Sequence, residues 1–301
     1  MSEPKHAEHD ATKLLRIEPA TTETSVTLST GAVTSLRVLG QGFDVHVDPE
    51  QTSLRVGRYG PPSADIRLPL PSISREHALL TRLPSGALEV ADLNSRNGIG
   101  YAHALHTDKY VRCPRFVANV GDRFAFGDVG LLALDTRTRR LATRLTAYFG
   151  PSASNAVDRA LTAVIRGEML FIHGAGDAPL LEVARAMHRY STRRNHPLMK
   201  CDGSSTSDEE IDQVCIQAAG GTMVLDLTQP FSVPARLAQH LLSSHFNVWP
   251  IVVTTVDTPR KVLQCFEPAI LRSRRPHLEL CFLGFPKRTL GQAVFQPRRT
   301  Q

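Results

Sequence analysis

Along the first half of the chain, apolar and polar positions alternate in short runs: Ser25–Leu28, Ser35–Leu39, Phe43–Val47, Asp65–Leu68, His77–Leu83 and Ala87–Leu93. Such alternation marks strands with one buried face. Gly, Pro, Asn and Ser break the runs at regular intervals, and Val120–Gly127 reads as a closing hairpin, so residues 24–135 are expected to form an all-β sandwich. Residues 1–23 show little periodicity and are expected to be a flexible leader with one helical turn around Lys13–Ile17.

The period then changes. From Asn155, the residues Ala156, Ala160, Leu161, Val164 and Ile165 fall on one helical face. Strand Met169–Ile172, the Gly174-Ala175-Gly176 turn, helix Leu180–Tyr190, strand Met223–Asp226, helix Pro234–Leu242 and strand Ile251–Thr254 follow. Strands alternating with helices predict an α/β domain with a parallel sheet over 155–288. Residues 136–154 carry Arg137, Arg139, Arg140 and Arg144 and then Gly150-Pro151-Ser152, which reads as a solvated linker, with a docking surface for an acidic partner as the sharper alternative. Residues 289–301 read as a tail.

A chain of 301 residues has room for about two such domains. The net charge of +6 suits an acidic or phosphorylated partner but is too dispersed to indicate nucleic acid, and no recognition helix can be named, so DNA binding is not expected. The five cysteines are widely spaced with no CxxC pair, and the twelve histidines include no HExxH. Neither a metal site nor a disulfide framework is expected, and His103 and His106 find no third ligand nearby. No apolar run is long enough for a membrane helix, and the N-terminus lacks the plan of a signal peptide, so a cytoplasmic protein is expected.

Chemistry gathers in the loops of the first domain. Gly57-Arg58, Ser74-Arg75-Glu76-His77 and Asp92-Leu93-Asn94-Ser95-Arg96-Asn97-Gly98 occur in that order between strand patterns. Arg58 presents a planar fork of donors suited to a phosphate. Ser74 adds a hydroxyl and Arg75 a second cation, Asn97 can grip a peptide main chain, and Gly98 permits a tight turn. The ordered fragments GR, SxxH and NG resemble the forkhead-associated (FHA) domain family. That resemblance implies that Arg58 and Ser74 hold the phosphate of phosphothreonine. It also implies that Arg75, Arg96 and Asn97 line the peptide groove, while Gly57, His77 and Gly98 shape its loops. Ile99 departs from the family, in which Thr commonly follows Asn-Gly.

The second half resembles the AAA+ domain of bacterial sigma-54-dependent transcription activators over about 155–288, most clearly in Glu182-Val183-Ala184-Arg185-Ala186-Met187-His188 and Gly220–Asp226. Aligned on that resemblance, the site is degenerate. Gly174 and Gly176 remain, but the P-loop lysine position is Leu180, Pro179 takes a glycine position and Asp177 adds a repelling charge. Asp226 survives while the catalytic glutamate position is Leu227. The sensing asparagine position is Thr255, and no GAFTGA loop lies between Cys201 and Gly220.

The combined expectation is a non-catalytic bacterial adaptor without a cofactor. Its partner is a phosphothreonine protein made by a Ser/Thr kinase, and its pseudo-ATPase domain serves as an interaction or regulatory platform, with transcription control as one setting. Two alternatives remain open: an ATP-binding regulator of the sigma-54 type with atypical motifs, and a scaffold that ignores phosphate.

Overall fold

The computed structural model describes residues 15–16, 31–102, 110–174, 178–201, 207–228, 235–242, 247–255, 266 and 281–284. The expected strand at Ser25–Leu28 and the 289–301 tail lie outside them. Strand β1 (Leu15–Arg16) precedes the sandwich strands: β2 (Ser35–Val38), β3 (Phe43–His46), β4 (Ser53–Gly57), β5 (Ile66–Arg67), β6 (Ala78–Arg82), β7 (Leu88–Asp92), β8 (Ile99–Tyr101), β9 (Val111–Arg112), β10 (Arg115–Ala118), β11 (Arg123–Phe126) and β12 (Val129–Leu134). One sheet has the order β10-β7-β6-β4-β5 and the other β3-β2-β12-β11-β8-β9. Pairing is antiparallel throughout except between β4 and β5.

Alternation explains the core. In β4 and β6, Leu54, Val56, Ala78 and Leu80 point inward, and they meet Leu36, Val38, Phe124 and Phe126 of the facing sheet. Aromatic rings chain through this interior, with Phe116–Phe124 and Phe124–Phe126 centroids 5.6 and 5.5 Å apart. A rigid sandwich of this kind can present loops at one end.

The second unit continues with α1 (Thr136–Phe149), a 3-10 turn, α2 (Ser154–Arg166), β13 (Leu170–His173), α3 (Leu180–Tyr190), β14 (Leu198–Cys201), α4 (Asp208–Gln217), β15 (Thr222–Leu227), α5 (Ala235–Leu242), β16 (Trp249–Thr254) and β17 (Cys281–Gly284). Its sheet order is β1-β14-β15-β16-β13-β17, parallel from β14 to β17. Leu170, Ile172, Val224, Ile251 and Val253 face one core with α1, α2 and α3. On the opposite face, Phe171, Met223, Leu225, Leu227 and Val252 pack with residues of α4 and α5. This is a three-layer α/β arrangement.

Two expectations need correction. Leu15 and Arg16, expected within the flexible leader, form an antiparallel edge strand on β14. Residues 136–154, expected to be a solvated linker, are largely helix α1, whose Leu141, Ala142, Leu145 and Phe149 are buried. Arginines on its exposed face disguised an amphipathic pattern. Between Cys201 and Gly220, where no element was assigned from the sequence, lies α4, which buries Ile211, Val214, Cys215 and Ala218.

The two units share a strand. Along β12, Leu131 and Ala133 enter the sandwich core, while Leu132 and Leu134 enter the core under α1 and α2. At β12 and β2 the outer face of this sheet is therefore covered by helices rather than water. Arg37 on neighbouring β2 is buried there and pairs with Asp158 of α2 and, at 3.1 Å, with Asp44. Asp158 also accepts the Gly40 N–H at 2.8 Å.

Candidate functional site

Three loops at one end of the sandwich enclose a groove of about 680 Å³. Its walls include Arg58, Ser72, Ser74, Arg75, Glu76, Arg96 and Asn97. Arg58 follows β4, the Ser72–His77 segment precedes β6, and Asn94–Gly98 connects β7 to β8. The structure thus brings together every groove residue expected from the sequence.

Backbone bonds lock the loops. Arg58 N–H donates to the Ser74 carbonyl at 2.9 Å, and Gly127 N–H donates to the Gly98 carbonyl at 2.8 Å. Gly57 has to lack a side chain, since a Cβ there would stand 1.9 Å from the Arg75 carbonyl oxygen. Gly98 sits at φ +73°, in the left-handed region. Ile99, the departure from the family pattern, is buried in the sandwich core.

His77 joins two of the loops. It is fully buried, its Nδ1 accepts the Ser74 N–H at 3.0 Å and its Nε2 lies 3.2 Å from the Gly98 carbonyl oxygen. An acceptor at Nδ1 requires the proton on Nε2, which then donates to Gly98. Burial lowers its pKa, and the Gly98 bond offsets this only in part. The imidazole is a neutral brace.

Ser74 and Arg58 meet the groove with capacity to spare. Ser74 Oγ accepts the Arg96 N–H at 3.0 Å, which leaves its own O–H free to donate. Arg58 is half-buried, its guanidinium carbon 5.1 Å from the Tyr59 ring centre. Its Nε is buried without a hydrogen-bond partner, and no carboxylate among the described residues is within ion-pairing distance of its guanidinium. Asn97 Nδ2 donates to the Ser72 carbonyl at 2.8 Å, which fixes the amide and leaves Oδ1 for a ligand. Fixed donors and a cation around a solvent-open groove suit a tetrahedral oxyanion on an extended chain.

Ser72 and Ser95 were not singled out from the sequence. Ser95 Oγ accepts the Gly98 N–H at 3.0 Å and its own N–H donates to Asp92 at 3.2 Å, shaping the last loop. The Asp-x-x-Ser spacing of Asp92 and Ser95 is the signal that could have found it.

The second site looks different. β13 lies between β16 and β17 in the sheet. Gly174 N–H donates to the Thr254 carbonyl at 3.2 Å, and Gly176 lies outside the described residues. Leu180 and Leu227 are buried in the cores on opposite faces of the sheet. Asp226 Oδ1 accepts the Thr228 N–H at 3.1 Å and its O–H at 2.6 Å, while Oδ2 pairs with Lys200 Nζ at 2.8 Å. Burial alone would raise its pKa, but these bonds outweigh it and hold the carboxyl below its ordinary value. Both oxygens are thus engaged within the protein. Among the described residues, no three His, Cys, Asp or Glu side chains gather as metal ligands, and no helix is long and apolar enough to cross a membrane.

Residues 54–127 match the model of the FHA domain family, so the chain carries an FHA domain. No curated protein matches the chain. Among solved structures, the FHA domain of CT664 from Chlamydia trachomatis is 26% identical, with TM-score 0.28, covering 34% of this chain and 95% of that one. The N-terminal FHA domain of Rad53p from S. cerevisiae, solved with a phosphothreonine peptide, is 16% identical with TM-score 0.26, covering 37% and 98%. The P-loop NTPase domain of a sigma-54 activator from E. coli is 14% identical with TM-score 0.30, covering 38% and 98%.

Proposed function

We propose that this protein is a non-catalytic signalling adaptor that binds phosphothreonine-containing partners in its FHA groove. The observation that carries this reading is the pairing of Arg58 and Ser74, one with an unpaired guanidinium and the other with a free O–H, on loops locked together at 2.9 Å. A phosphothreonine dianion supplies the charge and acceptor oxygens that these groups lack. The partner is the product of a Ser/Thr kinase, and the setting is the bacterial cytoplasm.

The α/β unit acts in this reading as a pseudo-ATPase platform, with transcription control as one setting for it. Support comes from Leu180, which cannot reach a phosphate, and from Asp226, whose oxygens are held by Lys200 and Thr228 rather than free for magnesium. Incubating the full chain with ATP and magnesium is expected to give no turnover above buffer. Turnover that survives Asp226→Ala would leave the platform reading intact, whereas turnover lost in that variant would overturn it.

The direct test is titration of the full chain with a degenerate phosphothreonine peptide library and its unphosphorylated counterpart. Arg58→Ala is expected to weaken phosphopeptide binding by roughly 1.5–3 kcal/mol, the value of a charge-assisted hydrogen bond. Equal binding by wild type and Arg58→Ala, or equal binding of both peptide forms, would instead support a phosphate-independent scaffold.

A further inference from the structure

We propose that the groove selects phosphothreonine flanked by acidic residues; this rests on the reading of the groove as a phosphothreonine site and adds the chemical class of its partner. Three guanidinium groups, those of Arg58, Arg75 and Arg96, line the groove. One carboxylate, Glu76, lines it with them, and this is already paired with Arg55 at 2.9 Å. A bound phosphate brings a charge of about −1.5 to −2. Roughly one positive charge then remains uncompensated in the groove.

The placement of that excess is set by the fold. Arg75 follows Ser74 in the chain, and its carbonyl is packed against Gly57. Arg96 comes from another loop, but its N–H is bonded to Ser74 Oγ at 3.0 Å. The two backbones therefore flank the phosphate-binding hydroxyl, one from each loop. Arg75 and Arg96 are both exposed, and no carboxylate among the described residues is within ion-pairing distance of either. Residues of an extended peptide on both sides of the phosphothreonine pass these cations. Carboxylates there gain attraction, and lysines meet repulsion.

Fluorescence anisotropy on the full chain tests this with peptides that share one phosphothreonine and differ only in flanks of Glu, Ala or Lys. The expected order of affinity is Glu, then Ala, then Lys, with roughly 3- to 10-fold between the first two at low salt, as a few solvent-exposed ion pairs allow. The difference should shrink with added salt and in the Arg75→Ala/Arg96→Ala double variant, whereas Arg58→Ala should weaken all three peptides alike. Equal affinity for Glu- and Ala-flanked phosphopeptides overturns the acidic preference and leaves the phosphothreonine reading standing. Failure of every phosphopeptide to bind overturns both. Tighter binding of single-stranded RNA than of the Glu-flanked phosphopeptide would also overturn the inference, assigning the basic rim to another class of ligand.

Discussion

Ser74 gives each of its polar groups a different task. Its N–H goes to His77, its carbonyl accepts from Arg58, and its Oγ accepts from Arg96. Only the hydroxyl hydrogen is left for a ligand. Ser74→Ala is therefore expected to lower phosphopeptide affinity by roughly 1.5–3 kcal/mol, with little change in the melting temperature, because the Arg96 N–H it abandons is at an exposed residue. Unchanged affinity in the same anisotropy assay would remove Ser74 from the phosphate site. His188 provides a second residue-scale expectation. Burial pushes its pKa down from 6.5 to about 4, with nearby His196 adding to the effect, and its Nδ1 lies 2.9 Å from Thr222 Oγ1. Folded, the ring stays neutral to about pH 4, while the unfolded ring takes a proton below about 6.5. Its stabilising contribution is complete above that higher value and is lost as pH falls through the window, by about 3 kcal/mol in all. Urea midpoints measured across the window should fall more steeply for wild type than for His188→Gln. Parallel slopes would show that His188 titrates as freely in the folded state as in the unfolded one.

At the scale of elements, α1 shows how charge concealed a packing pattern. Leu141, Leu145 and Phe149 recur at helical spacing, but four arginines and a Gly-Pro break suggested a solvated linker. The start of the helix was also legible in principle. Asp135 accepts the Thr138 N–H at 2.7 Å and Thr138 Oγ1 accepts the Asp135 N–H at 3.0 Å, a reciprocal cap. Leu145→Ala is expected to cost about 2–5 kcal/mol, as a large-to-small change in a core does. A chemical-denaturation difference below about 0.5 kcal/mol, the range of ordinary surface substitutions, would restore the linker reading. The groove loops, by contrast, were readable because short-range chemistry defines them. Ser74, Asn97 and Gly98 were legible in residue type and spacing, whereas the bracing role of His77 came only from the family resemblance. Ser72 was not readable, since it contributes a carbonyl that any residue possesses.

For the molecule as a whole, β12 makes two cores interdependent. Leu132 and Leu134 turn toward the helices while Leu131 and Ala133 hold the sandwich. Arg37 is buried between the two units, with Asp44 and Asp158 as its counter-charges. Asp158→Ala leaves Asp44 on the guanidinium but takes the acceptor away from Arg37 Nε and the Gly40 N–H, so it is expected to destabilise by roughly 1–3 kcal/mol. Probes of the sandwich and of the α/β unit should shift together in that variant, since the two units share a boundary. Separate transitions, with the sandwich unaffected, would mean that the units fold independently. A fragment ending at Asp135 should likewise be less stable than the full chain, because it exposes Leu132 and Leu134 to water.

The sequence by itself determined the alternation of strands, the later helical period and the residue types at the groove, because these depend on local spacing and side-chain chemistry. Only the tertiary structure decided that Lys200 occupies Asp226, that His77 ties two loops, and that Arg37 meets Asp158 across 121 residues of chain. Those contacts arise between positions distant in sequence, where neither period nor propensity carries information about the partner, and burial makes each choice of partner energetically decisive.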